Sequence, residues 1–144
     1  MTAGTYTVTN LFGCSSGQGS AGQCGKFVSS STLDRGSYYL TLTASRDETW
    51  QLVATNVRNV FSVKTCDKKC WFWHDTSTAT DWTTLRTQSK AYWLIEPKGD
   101  GYAIRLYNCR SRCHMTWKSS TWGKYLYTGD DEGVTFDFVD VNSR

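Results

Sequence analysis

Two short stretches of the chain combine large aromatic residues with polar groups suited to binding a sugar. Eight residues share this character: Trp73, His74, Asp75, Trp82, Trp117, Trp122, Tyr125 and Asp130. An aromatic ring can stack on the apolar face of a sugar, while neighbouring polar groups bind its hydroxyls. The chain shows no paired acid and base and no nucleophile motif, so we expect carbohydrate binding without catalysis, and no cofactor or metal.

Residues of one class recur along the chain at a fixed step of 43 positions. Trp50 is followed by Trp93 and then by Phe136. Further sets follow the same step: Tyr39, Trp82 and Tyr125; Leu52, Ile95 and Phe138; Cys66 and Cys109; Cys70 and Cys113. A fixed period of this length indicates one structural unit copied three times, and one copy is too short to bury its apolar face alone.

Each copy reads as four short β-strands. In the second copy these are 60–64, 70–74, 82–87 and 91–96, each with alternating or β-branched residues and separated by turn residues. Ser45-Arg-Asp-Glu48 resembles a helix capping box, but its copy one period later runs into Pro97, which favours a strand. Twelve strands in three units are typical of a β-trefoil, a closed barrel without free edges. We predict an all-β, single-domain β-trefoil over 1–144, with units of approximately 4–55, 59–98 and 101–142.

Two segments resemble fungal β-trefoil proteins: the opening Gly4-Thr-Tyr-Thr-Val-Thr-Asn10 and the closing Phe136-Asp-Phe-Val-Asp-Val141. That group includes ricin-B-like lectins and the β-trefoil protease inhibitors of mushrooms. The resemblance implies the fold, and a glycan or a protease as partner. Ricin-B-like lectins typically carry an Asp two residues after a second-strand Cys, where this chain has Lys26, Phe72 and Met115. The resemblance therefore gives no support for galactose specificity.

The repeat selects one pairing of the six cysteines. The pairs that flank the first connection of each unit are Cys14–Cys24, Cys66–Cys70 and Cys109–Cys113. A short hairpin brings such residues within disulfide distance, so we predict these three bridges. A zinc site built from two C-x3-C pairs with His74 and His114 is the alternative, and free thiols remain open in a reducing compartment.

Alternation along the third strand of each unit places leucines such as Leu40 inward and one aromatic outward. The outward residues are Tyr39, Trp82 and Tyr125. These rings either stack on sugars or pack where the hairpins meet, and the pattern does not choose between the two. The stacking interpretation predicts that Trp82→Ala or Tyr125→Ala abolishes glycan binding and leaves the fold intact.

Basic residues inside the predicted disulfide loops suggest a second function. They are Lys68, Lys69, Arg110 and Arg112. A rigid loop that presents Lys or Arg is what a trypsin-like protease accepts, and preorganisation turns such a loop into an inhibitor. The Gly-rich loop 13–25 is a candidate for inhibiting a cysteine protease.

Composition narrows the partners further. The 144 residues carry a net charge of +3 and contain 7 Trp and 8 Tyr, more rings than a core of this size needs. The mild charge does not indicate nucleic acid, and no apolar run has membrane-spanning length. We expect a glycan on a glycoprotein or glycolipid as partner, a monomer or weak homodimer, and secretion. A cytoplasmic location is the alternative, because no signal-peptide pattern is visible.

Overall fold

The computed structural model describes residues 1–11, 27–33, 37–43, 49–65, 71–76, 80–120, 123–131 and 134–142. These residues form twelve strands: β1 Gly4–Asn10, β2 Phe27–Leu33, β3 Ser37–Thr43, β4 Trp50–Ala54, β5 Val60–Lys64, β6 Trp71–Asp75, β7 Asp81–Arg86, β8 Trp93–Lys98, β9 Gly101–Leu106, β10 His114–Ser120, β11 Gly123–Gly129 and β12 Phe136–Asp140. No helix occurs in this part of the chain, and the all-β prediction is confirmed.

Six of the strands pair into a closed ring. The order around it is β1, β4, β5, β8, β9, β12 and back to β1, and every pairing is antiparallel. Closure leaves none of these six strands with an unpaired edge, which a chain of short hairpins would otherwise expose.

The other six strands form three hairpins that meet one another. The hairpins are β2–β3, β6–β7 and β10–β11. Their second strands pair mutually, β3 with β7, β7 with β11 and β11 with β3, so the hairpins close on a common axis. Single pairs of β2 with β1, β6 with β5 and β10 with β9 join them to the ring.

The core includes two of the sets of residues that recur every 43 positions, on the strands that close the ring. Trp50, Trp93 and Phe136 are at most 1% exposed, and Leu52 and Ile95 are buried beside them. Since strands alternate their side chains, the intervening residues face outward. These period-related residues therefore line the inner face of the strands that close the ring.

Within the described ranges, no helix has the length and apolar character that a membrane span requires.

Candidate functional site

The predicted pocket of the second unit does not assemble as expected on the β6–β7 hairpin. Asp75 pairs with Trp82 and Trp73 with Thr84, so these side chains share one face. His74 pairs with Thr83 on the opposite face, although its ring lies 5.0 Å from that of Trp73. Strand alternation, which separates neighbouring side chains, is the reason.

The polar groups of this hairpin are already engaged. Arg86 donates a hydrogen bond to the Asp75 carboxylate at 2.7 Å, and the Asp75 side chain is only 17% exposed. Burial lowers the pKa of His74, and the attraction of Asp81 and Asp75 opposes this shift without cancelling it. Burial therefore favours the neutral form of His74, and Asp75 serves an ion pair rather than an open acceptor site.

The described residues of the predicted third-unit site, Trp117, Tyr125 and Asp130, each have a different environment. Trp117 is half-buried against the core and donates its indole N–H to the Asn10 side-chain oxygen at 3.3 Å. Asp130 is exposed and accepts the backbone N–H of Arg112 at 2.9 Å. Tyr125 is buried at 6% exposure. Trp122 lies outside the described residues.

The three period-equivalent rings converge instead of forming three separate surfaces. Tyr39, Trp82 and Tyr125 contact one another edge to face, with centroid distances of 6.1–6.4 Å. They lie where β3, β7 and β11 pair, and Tyr39 and Trp82 are half-buried there. This geometry matches packing at the hairpin joint, the second of the two sequence interpretations.

An open groove of about 420 Å³ lies elsewhere, on the outer wall of the ring. We call it the wall groove. Its floor is the outward face of β4 and β5, with Val53, Val60 and Ser62. Tyr92 and Tyr107 border it and are 44% and 45% exposed. The Tyr107 N–H donates to the Tyr92 carbonyl at 2.9 Å, which holds the two backbone segments together.

The wide connection between β4 and β5 forms one side of the wall groove. The strands β4 and β5 stop pairing at Ala54 and Phe61, which leaves six residues in the connection. The equivalent strands β8 and β9 pair as far as Lys98 and Gly101, which leaves a turn of two residues. The Thr55 hydroxyl stiffens the wide connection, since it donates to the Val60 carbonyl and accepts the Val57 N–H. A smaller cavity of about 370 Å³ lies on the other side of this connection, near Met1.

The residues that border the wall groove are mostly apolar, with a few polar groups among them. Asn56, Ser62 and Lys90 supply an amide, a hydroxyl and an ammonium group. Among the described residues, no Asp or Glu borders it. This composition suits a small amphipathic ligand with hydroxyls or a negative charge.

Sequence reasoning missed the wall groove because Tyr92 and Tyr107 have no aromatic period mates. The positions equivalent to Tyr92 are Thr49 and Thr135, and the position equivalent to Tyr107 is Lys64. The 43-residue repeat therefore does not single out either tyrosine. Alternation was the available signal: the neighbour Trp93 is fully buried, which turns Tyr92 outward.

The predicted bridge Cys109–Cys113 is confirmed, with a Cα–Cα distance of 5.8 Å. Arg110 and Arg112 between the two cysteines are exposed, and Arg112 has a left-handed backbone with φ of 52°. No cluster of three or more His, Cys, Asp or Glu is present among the described residues. The remaining predicted bridges and inhibitor loops lie outside the described residues. They are Cys14–Cys24, Cys66–Cys70, Lys68, Lys69 and loop 13–25.

Comparison with known proteins adds a structural likeness. No protein-family model matches the chain, and no curated protein matches it. The chain is similar in structure to lysenin in its complex with phosphocholine, with a TM-score of 0.63 and 12% sequence identity. The likeness covers 98% of this chain and 46% of the lysenin chain, so this chain spans less than half of lysenin's length. At this identity the likeness establishes a shared sheet-rich fold alone.

Proposed function

We propose that this chain is a β-trefoil binding module, of the type found in ricin-B-like lectins, that binds a glycan without altering it. The six-strand ring, the three mutually paired hairpins and the 43-residue repeat support a trefoil with units of about 4–55, 59–98 and 101–142. The function rests on the site and not on the fold, because one fold carries many functions.

The observation that carries the proposal is the pair of exposed tyrosines beside the wall groove. Tyr92 and Tyr107 offer ring faces at the mouth of a space large enough for one or two sugar units. Asn56 also borders this groove and is exposed, so its amide is available to the hydroxyls of a bound sugar. Because the Tyr92–Tyr107 backbone hydrogen bond holds both segments in place, little ordering of the backbone accompanies binding.

We expect Tyr92→Ala and Tyr107→Ala each to weaken glycan binding at least about tenfold, since truncating an aromatic that anchors a ligand costs more than about 1.4 kcal/mol. A glycan array identifies the ligand, and titration calorimetry measures the change. Val139→Ala is the control, because Val139 is 40% exposed on β12 and does not border the groove. Equal affinity in the tyrosine variants and the control contradicts this site.

A choline headgroup is the alternative ligand for the same tyrosines. Lysenin was solved with phosphocholine, and a quaternary ammonium is attracted to aromatic ring faces. Vesicles with phosphocholine lipids therefore belong in the same assay as the glycans. If the chain binds those vesicles, Tyr92→Ala abolishes that binding and no glycan on the array binds, then the ligand is a lipid headgroup rather than a sugar.

Protease inhibition is a second candidate function, favoured by the bridged Cys109–Cys113 loop. Proteases bind extended chain, and the left-handed backbone of Arg112 does not fit this requirement, so Arg110 is the residue to enter a trypsin pocket. For this function we expect trypsin inhibition that is lost in Arg110→Ala, by at least about a hundredfold, and kept in Arg112→Ala. If this protein does not inhibit trypsin at micromolar concentration, trypsin inhibition is not its function.

We also propose an oxidising location, namely secretion. The bridged Cys109–Cys113 pair supports this, because disulfides persist mainly outside the cytosol.

A further inference from the structure

We infer that the wall groove selects an acidic glycan, whose anionic group is bound by Lys90 and Lys64. The inference rests on the proposed glycan-binding function and names the class of sugar: one that carries a carboxylate or a sulfate.

The two lysines are brought together by one indole ring. The Lys90 ammonium lies 4.6 Å from the centre of the Trp71 ring, and the Lys64 ammonium lies 5.1 Å from it. The two ammonium groups are therefore at most 9.7 Å apart, the sum of these distances. Lys90 also borders the wall groove, so one charge of the pair lies at the groove that the two tyrosines border.

Separate elements fix this arrangement. Lys64 is the last residue of β5 and pairs with Trp71 of β6. Lys90 stands directly before Ala91, whose N–H donates to the Phe72 carbonyl at 3.0 Å. Because the backbone on both sides is hydrogen-bonded and both side chains lie against the ring, the ammonium groups are placed before a ligand arrives.

The charge of the pair is not neutralised within the described residues. The ion pair found there joins Arg86 to Asp75, and neither Lys64 nor Lys90 takes part in it. No described Asp or Glu borders the wall groove. Two nearby cations repel each other, and an anion bound beside them relieves this repulsion and accepts charge-assisted hydrogen bonds. A neutral sugar can accept hydrogen bonds from these ammonium groups but forms no ion pair with them.

The test compares glycans that differ only in charge, sialylated against desialylated and sulfated against unsulfated. We expect the acidic member of each pair to bind at least about tenfold more tightly at low salt, with a preference that shrinks as NaCl rises from about 50 to 500 mM. Lys90→Met and Lys64→Met each reduce the preference, and Lys90→Arg keeps it. Lys98→Met, which removes an exposed charge at the far end of β8, leaves it unchanged.

Three other outcomes are distinct. Equal binding of acidic and neutral glycans, or a preference that survives Lys90→Met, overturns the inference and leaves the proposed function standing. Absence of binding to every glycan overturns the proposed function itself. Binding to phosphocholine vesicles that Lys90→Met weakens overturns the acidic glycan in favour of a lipid phosphate. Circular dichroism of each variant confirms that it is folded.

Discussion

Trp93→Ala is expected to lower the free energy of unfolding by about 3–5 kcal/mol, the range for removing a large buried ring. Trp93 is fully buried, and its period mates Trp50 and Phe136 are at most 1% exposed. The ring strands enclose this position on all sides, so the cavity left by the indole cannot collapse easily. Urea denaturation followed by circular dichroism measures the change.

The matched control for this prediction is the next residue along the chain. Tyr92→Ala removes a ring that is 44% exposed, so we expect a loss of at most about 1 kcal/mol. Trp93→Phe is expected to be milder than Trp93→Ala, because Phe is the residue at the equivalent position 136 and the buried Trp93 indole N–H has no hydrogen-bond partner. A loss below about 1 kcal/mol in Trp93→Ala contradicts the burial of this ring.

Tyr125→Ala is expected to destabilise the fold by about 3–4 kcal/mol while the folded fraction keeps its affinity for the ligand. The residue is 6% exposed and contacts both Tyr39 and Trp82 edge to face. Its loss removes a buried ring and two aromatic contacts, each worth about 0.5–1.5 kcal/mol beyond burial. Thermal unfolding and titration with the ligand, carried out on one sample, give both quantities.

The control for Tyr125→Ala is a variant that is expected to keep its stability and lose its affinity for the ligand. Tyr107→Ala removes an exposed tyrosine at the wall groove, so we expect nearly unchanged stability and lost binding. If Tyr125→Ala remains as stable as the wild type and loses the ligand, the aromatic cluster at the hairpin joint is the binding site and the wall groove is not.

Strand positions were predictable because their signals are local. In the second unit the predicted strands 60–64, 70–74, 82–87 and 91–96 correspond to β5, β6, β7 and β8 with ends that differ by at most two residues. Alternation and turn residues act over a few positions, so neighbouring residues suffice to reveal them. The strand β8 continues through Pro97, which pairs with Tyr102, and the local signal placed its end too early.

The binding surface was less predictable, as Trp73, His74 and Asp75 illustrate. These residue types suit sugar binding. However, strand alternation places His74 on the opposite face of the hairpin, and the Asp75 carboxylate already accepts a hydrogen bond from Arg86. Arg86 is eleven positions away from Asp75 in the sequence. The two side chains meet because β6 and β7 pair as a hairpin. Residue types alone do not report such partners.

The sequence by itself determined the threefold repeat, the strand positions, the inward leucines such as Leu40 and the Cys109–Cys113 bridge, because each depends on spacing along the chain. Only the tertiary structure decided which surface is open. Pairing among β3, β7 and β11 turns Tyr39 and its two equivalents toward one another, and the wide connection after Ala54 opens a groove beside Tyr92 and Tyr107. The first result depends on strand partners far apart in sequence. The second depends on one connection that is wider than its counterpart between β8 and β9, so it breaks a symmetry that the repeat alone would have predicted.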